Sequence, residues 1–407
     1  MATPRKILIL TNRIPYPLKD GGNMAMHAMI EGYHEAGWQV YLLSMNTSRH
    51  HVAQDHLAKM NKHLAGFEWV NVDTELKTKD IIKNFLFSKE PNHAQRFYNE
   101  AFKEKLEEVL AAFNPDVVQV ESVFLSGYLP SIKSDSRALV VLRLHNVEYQ
   151  IWQGLAKRTK NRIKRFYLNN LTRRVRNYER AAWLEYDLLL AITEKDAHLV
   201  SRLEMVNEMI VAPFSIDTKK IVFDTNNEKW VGYHLGAMDW MPNAEGMSWF
   251  LQKVWPRIHK AMPNFEFYFA GRGMSQQFKD KTIGGVHCLG EVPDAKEFIA
   301  DKKILIVPLR SGGGVRVKIL EAMASGKVVI STHTGMKGID AKPGEHYLLA
   351  GKPDDYVRSI KWCLENKDKA EAMAQKAVTL VKTKYEQENV IKNVTEQIDL
   401  LLNTRSL

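Results

Sequence analysis

Short apolar runs alternate along the chain with longer segments of helical periodicity. KILIL (6–10) reads as a buried strand, residues 23–36 as a helix, and QVYLLS (39–44) as the next strand. DVVQVE (116–121), ALVVLRL (138–144) and DLLLAI (187–192) continue the series, with helical stretches such as 98–113 between them. Near-continuous Val/Ile/Leu strands separated by helices predict a parallel sheet covered on both faces. After MIVAPFSID (209–217) and the polar DTNNEK (224–229) the order restarts. VGYHLGAM (231–238), FEFYFAG (265–271), KILIVPL (303–309) and KVVIS (327–331) form a second strand series, with helices at about 244–261, 315–325 and 354–383. The pattern predicts two α/β units joined by a linker near 215–228, then one more amphipathic helix from about 385 to 402. Both units should be doubly wound. Such sheets bind ligands at the carboxyl ends of their strands, so the expected site is the cleft between two facing units.

Composition narrows the class. A chain of 407 residues has room for two to three domains. With 45% hydrophobic and 26% charged residues it is neither disordered nor fibrous. Cys288 and Cys363 are too few for a disulfide scaffold or a clustered zinc site. The first apolar run is too short for a signal peptide, and no run is long enough to span a bilayer. A cytoplasmic location is the expectation. The net charge of +10 is almost wholly local: residues 157–180 hold ten Lys and Arg against the single acid Glu179. A nearly neutral remainder argues against a nucleic-acid partner. In the same segment Ile163, Tyr167, Leu171, Val175, Tyr178 and Ala182 recur at spacings of three and four. Three readings stay open for this basic amphipathic stretch. It is a membrane-surface element on the inner face of the cell membrane, a grip on the pyrophosphate of a lipid-linked acceptor, or an ordinary core stripe with a solvated basic back.

The segment from Pro308 to Gly335, PLRSGGGVRVKILEAMASGKVVISTHTG, carries the most chemistry. A strand ends at Leu309, Gly312, Gly313 and Gly314 form a loop without side chains, and a helix follows from about Val315. A Gly-rich loop feeding a helix N-terminus lets backbone N–H groups approach an anion. Arg316 and Lys318 in the first turn oppose the helix dipole unless an anion neutralises them. Glu321, two turns in among apolar residues, suits a pair of ribose hydroxyls. The pattern points to a nucleotide-diphosphate pocket. The plain alternative is a turn before an ordinary helix, with Glu321 ion-paired to Lys318. No Ser-His-acid triad and no His/Cys/Asp grouping with metal-ligand spacing is present in the sequence.

KILEAMASGKVVIST resembles the donor-binding segment of glycosyltransferase family 4, the retaining, metal-independent enzymes of GT-B fold. ILILTNRIPYPLKDGG, LRLHNVEY, AMDWMPNAEGMSWFLQKVWP, FAGRG and LGEVPD are similar to further family elements and occur in the family's order. The likeness is greatest to members with HNVE and GGGxRxK, which build surface polysaccharides or glycoconjugates. It implies an α/β GT-B chain with an acceptor-binding Rossmann-like domain over 1–215 and a donor-binding one over 216–384. The helix over 385–407 would pack back toward the first domain.

The activity implied is hexosyl transfer from a nucleotide-sugar, UDP- or GDP-linked, to a glycan or lipid-linked glycan, with no cofactor and no metal. His145, Arg316 and Lys318 would be catalytic. Gly21, Gly22, Arg272, Glu291, Val292, Gly312, Gly313, Gly314 and Glu321 would line the donor site, and Asp20 and Glu148 the acceptor side. Local alternatives stay open for several: a tight turn for Gly21–Gly22, an N-cap for Asp20, a helix start for Glu148 and surface exposure for Arg272. Thr193 with Asp196 fits a structural helix cap. Two departures from the family stand out. The first of its two glutamates falls on Gly313, and the loop 237–243 lacks the usual Arg and Lys, so Arg316 and Lys318 are the expected substitutes. Rival readings are a non-catalytic nucleotide-sugar binding or partner subunit and a UDP-sugar 2-epimerase-like enzyme.

Overall fold

The computed structural model describes residues 3–18, 21–53, 63–75, 83–85, 87–88, 90–221, 229–275, 278, 283–312 and 314–405. It divides into two compact units: Met1–Ser215 with Val390–Leu407, and Ile216–Asn389. Part of the linker expected near 215–228 lies outside the described residues.

The first unit holds a seven-stranded sheet of β1 (Lys6–Thr11), β2 (Gln39–Thr47), β3 (Gly66–Val72), β4 (Val117–Val120), β5 (Leu139–Leu144), β6 (Leu188–Ala191) and β7 (Met209–Val211). All pairs are parallel and the order is β3-β2-β1-β4-β5-β6-β7. The apolar runs follow from this. Leu8 and Leu10 of β1 enter one core and Ile7 and Ile9 the other; β5 splits likewise into Val140, Leu142 and Leu144 against Leu139 and Val141. A strand with helices on both faces has no polar side to show. The Gln387–Arg405 helix closes the second of these cores with Val390, Ile391, Val394 and Ile398. Its close approach needs Gly32, where a Cβ would lie 2.2 Å from the Ile391 side chain.

The second unit has six parallel strands: β8 (Lys229–Leu235), β9 (Phe267–Ala270), β10 (Val286–Gly290), β11 (Lys302–Val307), β12 (Val328–Ser331) and β13 (Leu348–Leu349), in the order β10-β9-β8-β11-β12-β13. Both sheets therefore reverse direction beside their first strand, the doubly wound arrangement.

Several elements depart from the sequence reading. The helix expected over 244–261 widens at Phe250–Val254, where the following Pro256 has no N–H to donate back. The stretch 354–383 is two helices, Pro353–Glu365 and Lys367–Lys384, parted at Asn366, whose φ of −132° leaves helical geometry. The basic segment spans Glu148–Arg158 and Arg162–Trp183, and Asn161 caps the latter by accepting from the Lys164 amide at 3.0 Å. Its apolar stripe is core packing from Tyr167 onward, with Leu171, Val175 and Ala182 buried, while Ile163 is exposed and does not belong to it. Among the described residues no helix is long and apolar enough to cross a membrane.

Candidate functional site

In the second unit the strand order reverses between β8 and β11, and charged groups gather at their carboxyl ends. His234, next to last in β8, is fully buried, with Nδ1 2.8 Å from the Ile306 carbonyl oxygen. That carbonyl can only accept, so Nδ1 carries the proton and Nε2 is left as an acceptor. Lys318 Nζ takes it at 3.2 Å, and also donates to the Leu235 carbonyl at 3.1 Å and Asn243 Oδ1 at 3.2 Å. All three acceptors are neutral. Burial, and then the charge of Arg316, pull Lys318 down to about 7. Burial, then the Lys318 ammonium, hold His234 well below its ordinary range. At Gly236 a Cβ would lie 2.9 Å from Lys318 Nζ, so glycine keeps the space beside the ammonium open.

Arg316 takes the N-cap position of the Val317–Ala324 helix, a place where its side chain cannot accept an amide hydrogen. The buried guanidinium lies 5.0 Å over the Trp240 ring and donates from Nη1 to the Gly314 carbonyl at 3.0 Å; burial lowers its pKa. Gly312 at φ +106° and Gly314 at φ +80° adopt backbone that side chains resist. A Cβ on Gly312 would also meet Arg316 Nη2 at 2.9 Å. Gly313 lies outside the described residues. Glu321 is half-buried, and burial pushes its carboxyl up against a partial offset from Lys296. The ion pair weighed for Glu321 and Lys318 does not form, because Lys318 turns to β8 instead. Arg272 is exposed and ion-paired to Asp239 at 3.0 Å, and its carbonyl accepts from the Met238 amide at 2.7 Å. After β10, Glu291 is exposed and Val292 half-buried.

Two cations and a helix N-terminus meet at the strand-order reversal, an arrangement chemically suited to an anion. Sequence reasoning named Arg316, Lys318 and Glu321; the structure brings Lys318 to His234 and Asn243, which that reasoning did not single out. A histidine inside an apolar strand is the signal that could have shown the first.

The first unit gathers a different cluster at the ends of β4 and β5. His145 Nε2 lies 2.6 Å from Glu121 Oε2, and Gln119 Nε2 donates to Glu121 Oε1 at 2.5 Å. Arg143 Nη1 is 3.6 Å from the same carboxylate and donates to the Ala25 carbonyl at 2.8 Å. Tyr33 donates to Gln119 at 2.6 Å. Burial raises Glu121, but Arg143, His145 and Gln119 together outweigh it and hold the carboxyl below its usual range. Glu121 was also missed. Arg143 inside LVVLRL was the available clue, because a buried guanidinium needs a carboxylate.

The remaining candidates of this unit are separated by role. Gly21 and Gly22 open the Gly21–Glu35 helix. Glu148 is the first residue of its helix, whose leading amides, those of Glu148 and Tyr149, donate to Glu179 at 2.7 and 2.9 Å. The Glu148 carboxyl is itself pushed up to about 7 by burial. Asp20 lies outside the described residues. Thr193 does cap its helix, accepting from the Asp196 amide at 3.1 Å.

Two doubly wound parallel units in succession define the GT-B fold of glycosyltransferases. The structure superposes on sucrose-phosphate synthase from Thermosynechococcus elongatus with a TM-score of 0.66 at 12% identity, over 98% of this chain and 100% of that one. It superposes equally on Anabaena Alr3699/HepE in complex with UDP, TM-score 0.66 at 13% identity, over 97% and 99% of the two chains. Residues 231–366, which contain the Lys318 cluster, match the family model "Glycosyl transferases group 1". An uncharacterized 44.6 kDa protein in the cps region of Klebsiella pneumoniae is 22% identical over 96% of this chain and 99% of its own length. A lipopolysaccharide 1,2-N-acetylglucosaminetransferase of Salmonella typhimurium is 28% identical over 32% of this chain and 37% of its own.

Proposed function

We propose that the protein is a retaining glycosyltransferase. It moves a sugar from a UDP- or GDP-sugar to a glycan or lipid-linked glycan, in the building of a surface polysaccharide or glycoconjugate. The observation that carries this reading is the Lys318 ammonium among neutral acceptors, beside Arg316 and a helix N-terminus, inside the segment that matches the family. The two relatives and the UDP held by one structural neighbour agree in direction.

In such a transfer the nucleotide diphosphate leaves and gains charge. Preorganised cations and amides stabilise that charge more than the ground state, which is what speeds the step. Lys318, Arg316 and the first amides of the Val317–Ala324 helix fill this role and supply positive charge without a metal ion. Glu321, a half-buried carboxylate, accepts from ribose hydroxyls. In the first unit Glu121 fixes the His145 ring at the carboxyl end of β5, where it serves the acceptor. Retention then follows from attack on the face the diphosphate leaves, with the leaving phosphate taking the acceptor proton, and no protein nucleophile is assigned.

Calorimetric titration with UDP, GDP, CDP, TDP and ADP, with and without Mg²⁺, tests the donor site. Selective binding of one nucleotide, indifferent to Mg²⁺ and weakened in Glu321→Ala, is expected. Failure of every nucleotide to bind the folded protein would overturn the reading. With the donor base known, proton NMR of the product of the matching nucleotide-sugar reports retention or inversion at the anomeric carbon.

A further inference from the structure

Sugar transfer leaves the most basic part of the molecule without a task. The two sides of the Arg162–Trp183 helix differ sharply. Leu168, Leu171, Val175 and Ala182 are spent on the core. On the opposite side Phe166, Arg173, Arg176 and Arg180 follow one another at spacings of seven, three and four, one line along a helix of 3.6 residues per turn. With Tyr149 and Gln153 of the neighbouring helix, the three arginines line a groove of about 340 Å³. The Arg176 guanidinium stacks 5.6 Å above the Tyr149 ring, and Arg180 is ion-paired to Glu204.

The N-terminal end of this helix is unusual in another way. Ile163 is 83% and Phe166 67% exposed, and on the neighbouring helix Ile151 is 49% and Leu155 43% exposed. Lys157, Arg158, Lys160, Arg162, Lys164 and Arg165 are all exposed around them. Large apolar side chains in water mark a contact surface. A polyanion such as nucleic acid would satisfy the cations but not Ile163 and Phe166. An apolar protein groove would take the apolar pair but not six cations. An anionic bilayer takes both, since its interface accepts aromatic and aliphatic tips while its phosphates meet Lys and Arg. Arginine forks suit phosphate oxygens in pairs.

We propose that the Glu148–Arg158 and Arg162–Trp183 helix pair docks on an anionic lipid surface. Ile163 and Phe166 enter the interface, and the groove of Arg173 and Arg176 takes lipid phosphate. Attachment is peripheral, and it stands apart from the sugar-transfer reading, since it needs no donor. Co-sedimentation of the full chain with vesicles tests it. One set contains about one-quarter phosphatidylglycerol in phosphatidylcholine, the other phosphatidylcholine alone. Binding to the anionic set, absent from the neutral set and weakened by salt, is expected. Ile163→Ser/Phe166→Ser and Arg173→Gln/Arg176→Gln should each lower the partition coefficient about tenfold or more, with thermal melting unchanged because the side chains are exposed. No binding to anionic vesicles would overturn the proposal. So would wild-type binding by the Ile163→Ser/Phe166→Ser variant, or binding of duplex DNA as tight as that of vesicles, because either would reduce the surface to a general polyanion patch.

Discussion

Each unit places a buried charged cluster at the ends of its central strands, and the two are opposite in balance. Around Glu121 the charges cancel: Arg143 and His145 face one carboxylate, whose pKa falls despite its burial. Lys318 differs: its three hydrogen-bond partners are neutral, and burial and then the charge of Arg316 pull its pKa down to about 7. A balanced cluster serves the fold and fixes one side chain. An unbalanced one costs the fold stability, and that cost is offset when an anion binds.

The contrast is broken most forcefully at Glu121. Glu121→Ala leaves Arg143 as a buried charge without its carboxylate and should cost about 3–5 kcal/mol, read by urea unfolding. Lys318→Met should do the reverse. Nucleotide affinity falls about a hundredfold by calorimetry, through the lost positive charge beside the anion, while stability holds or rises. If Lys318→Met destabilised the protein as much as Glu121→Ala, the contrast would be void. Glu321→Ala should cost about tenfold in affinity, through lost bonds to ribose, with little change in melting. A pH-dependent effect is at Glu148. Its native carboxyl keeps a proton that the unfolded chain releases, so this group's contribution to stability is lost as pH rises between about 4.5 and 7. Glu148→Gln should flatten that slope, read as a smaller change of Tm across the same pH range.

Much of this was legible from residues alone. Strands buried on both faces write themselves as unbroken Val/Ile/Leu runs, so β1, β4, β5, β6, β11 and β12 were readable. GFEWVNV of β3 and VHCLG of β10 are edge strands, half-buried for the most part, and their mixed composition hides them. The break at Asn366 carries no proline or glycine and was lost in one long amphipathic pattern. In the candidate site, Arg316, Lys318 and Glu321 share a local motif and could be found together. Glu121, His145 and Arg143 meet only because β4 and β5 pair, and His234 meets Lys318 only because β8 lies beside β11. Pairing between strands distant in sequence leaves no local trace. The apolar stripe of 157–180 showed the limit from the other side: periodicity reported a buried face without saying what buries it.

Proton uptake on binding reads directly whether Lys318 lies beside a bound diphosphate. Below pH 7 the ammonium is protonated before and after binding. Above pH 7 the unbound protein has released the proton, and the anion draws it back, so affinity should fall by up to about tenfold per pH unit. Calorimetry at pH 8 in two buffers of different ionisation enthalpy, with the nucleotide that binds, gives the number of protons taken up. The prediction is uptake approaching one proton per nucleotide in the wild type and close to none in Lys318→Met. Tight binding by the wild type with no proton uptake would contradict the account.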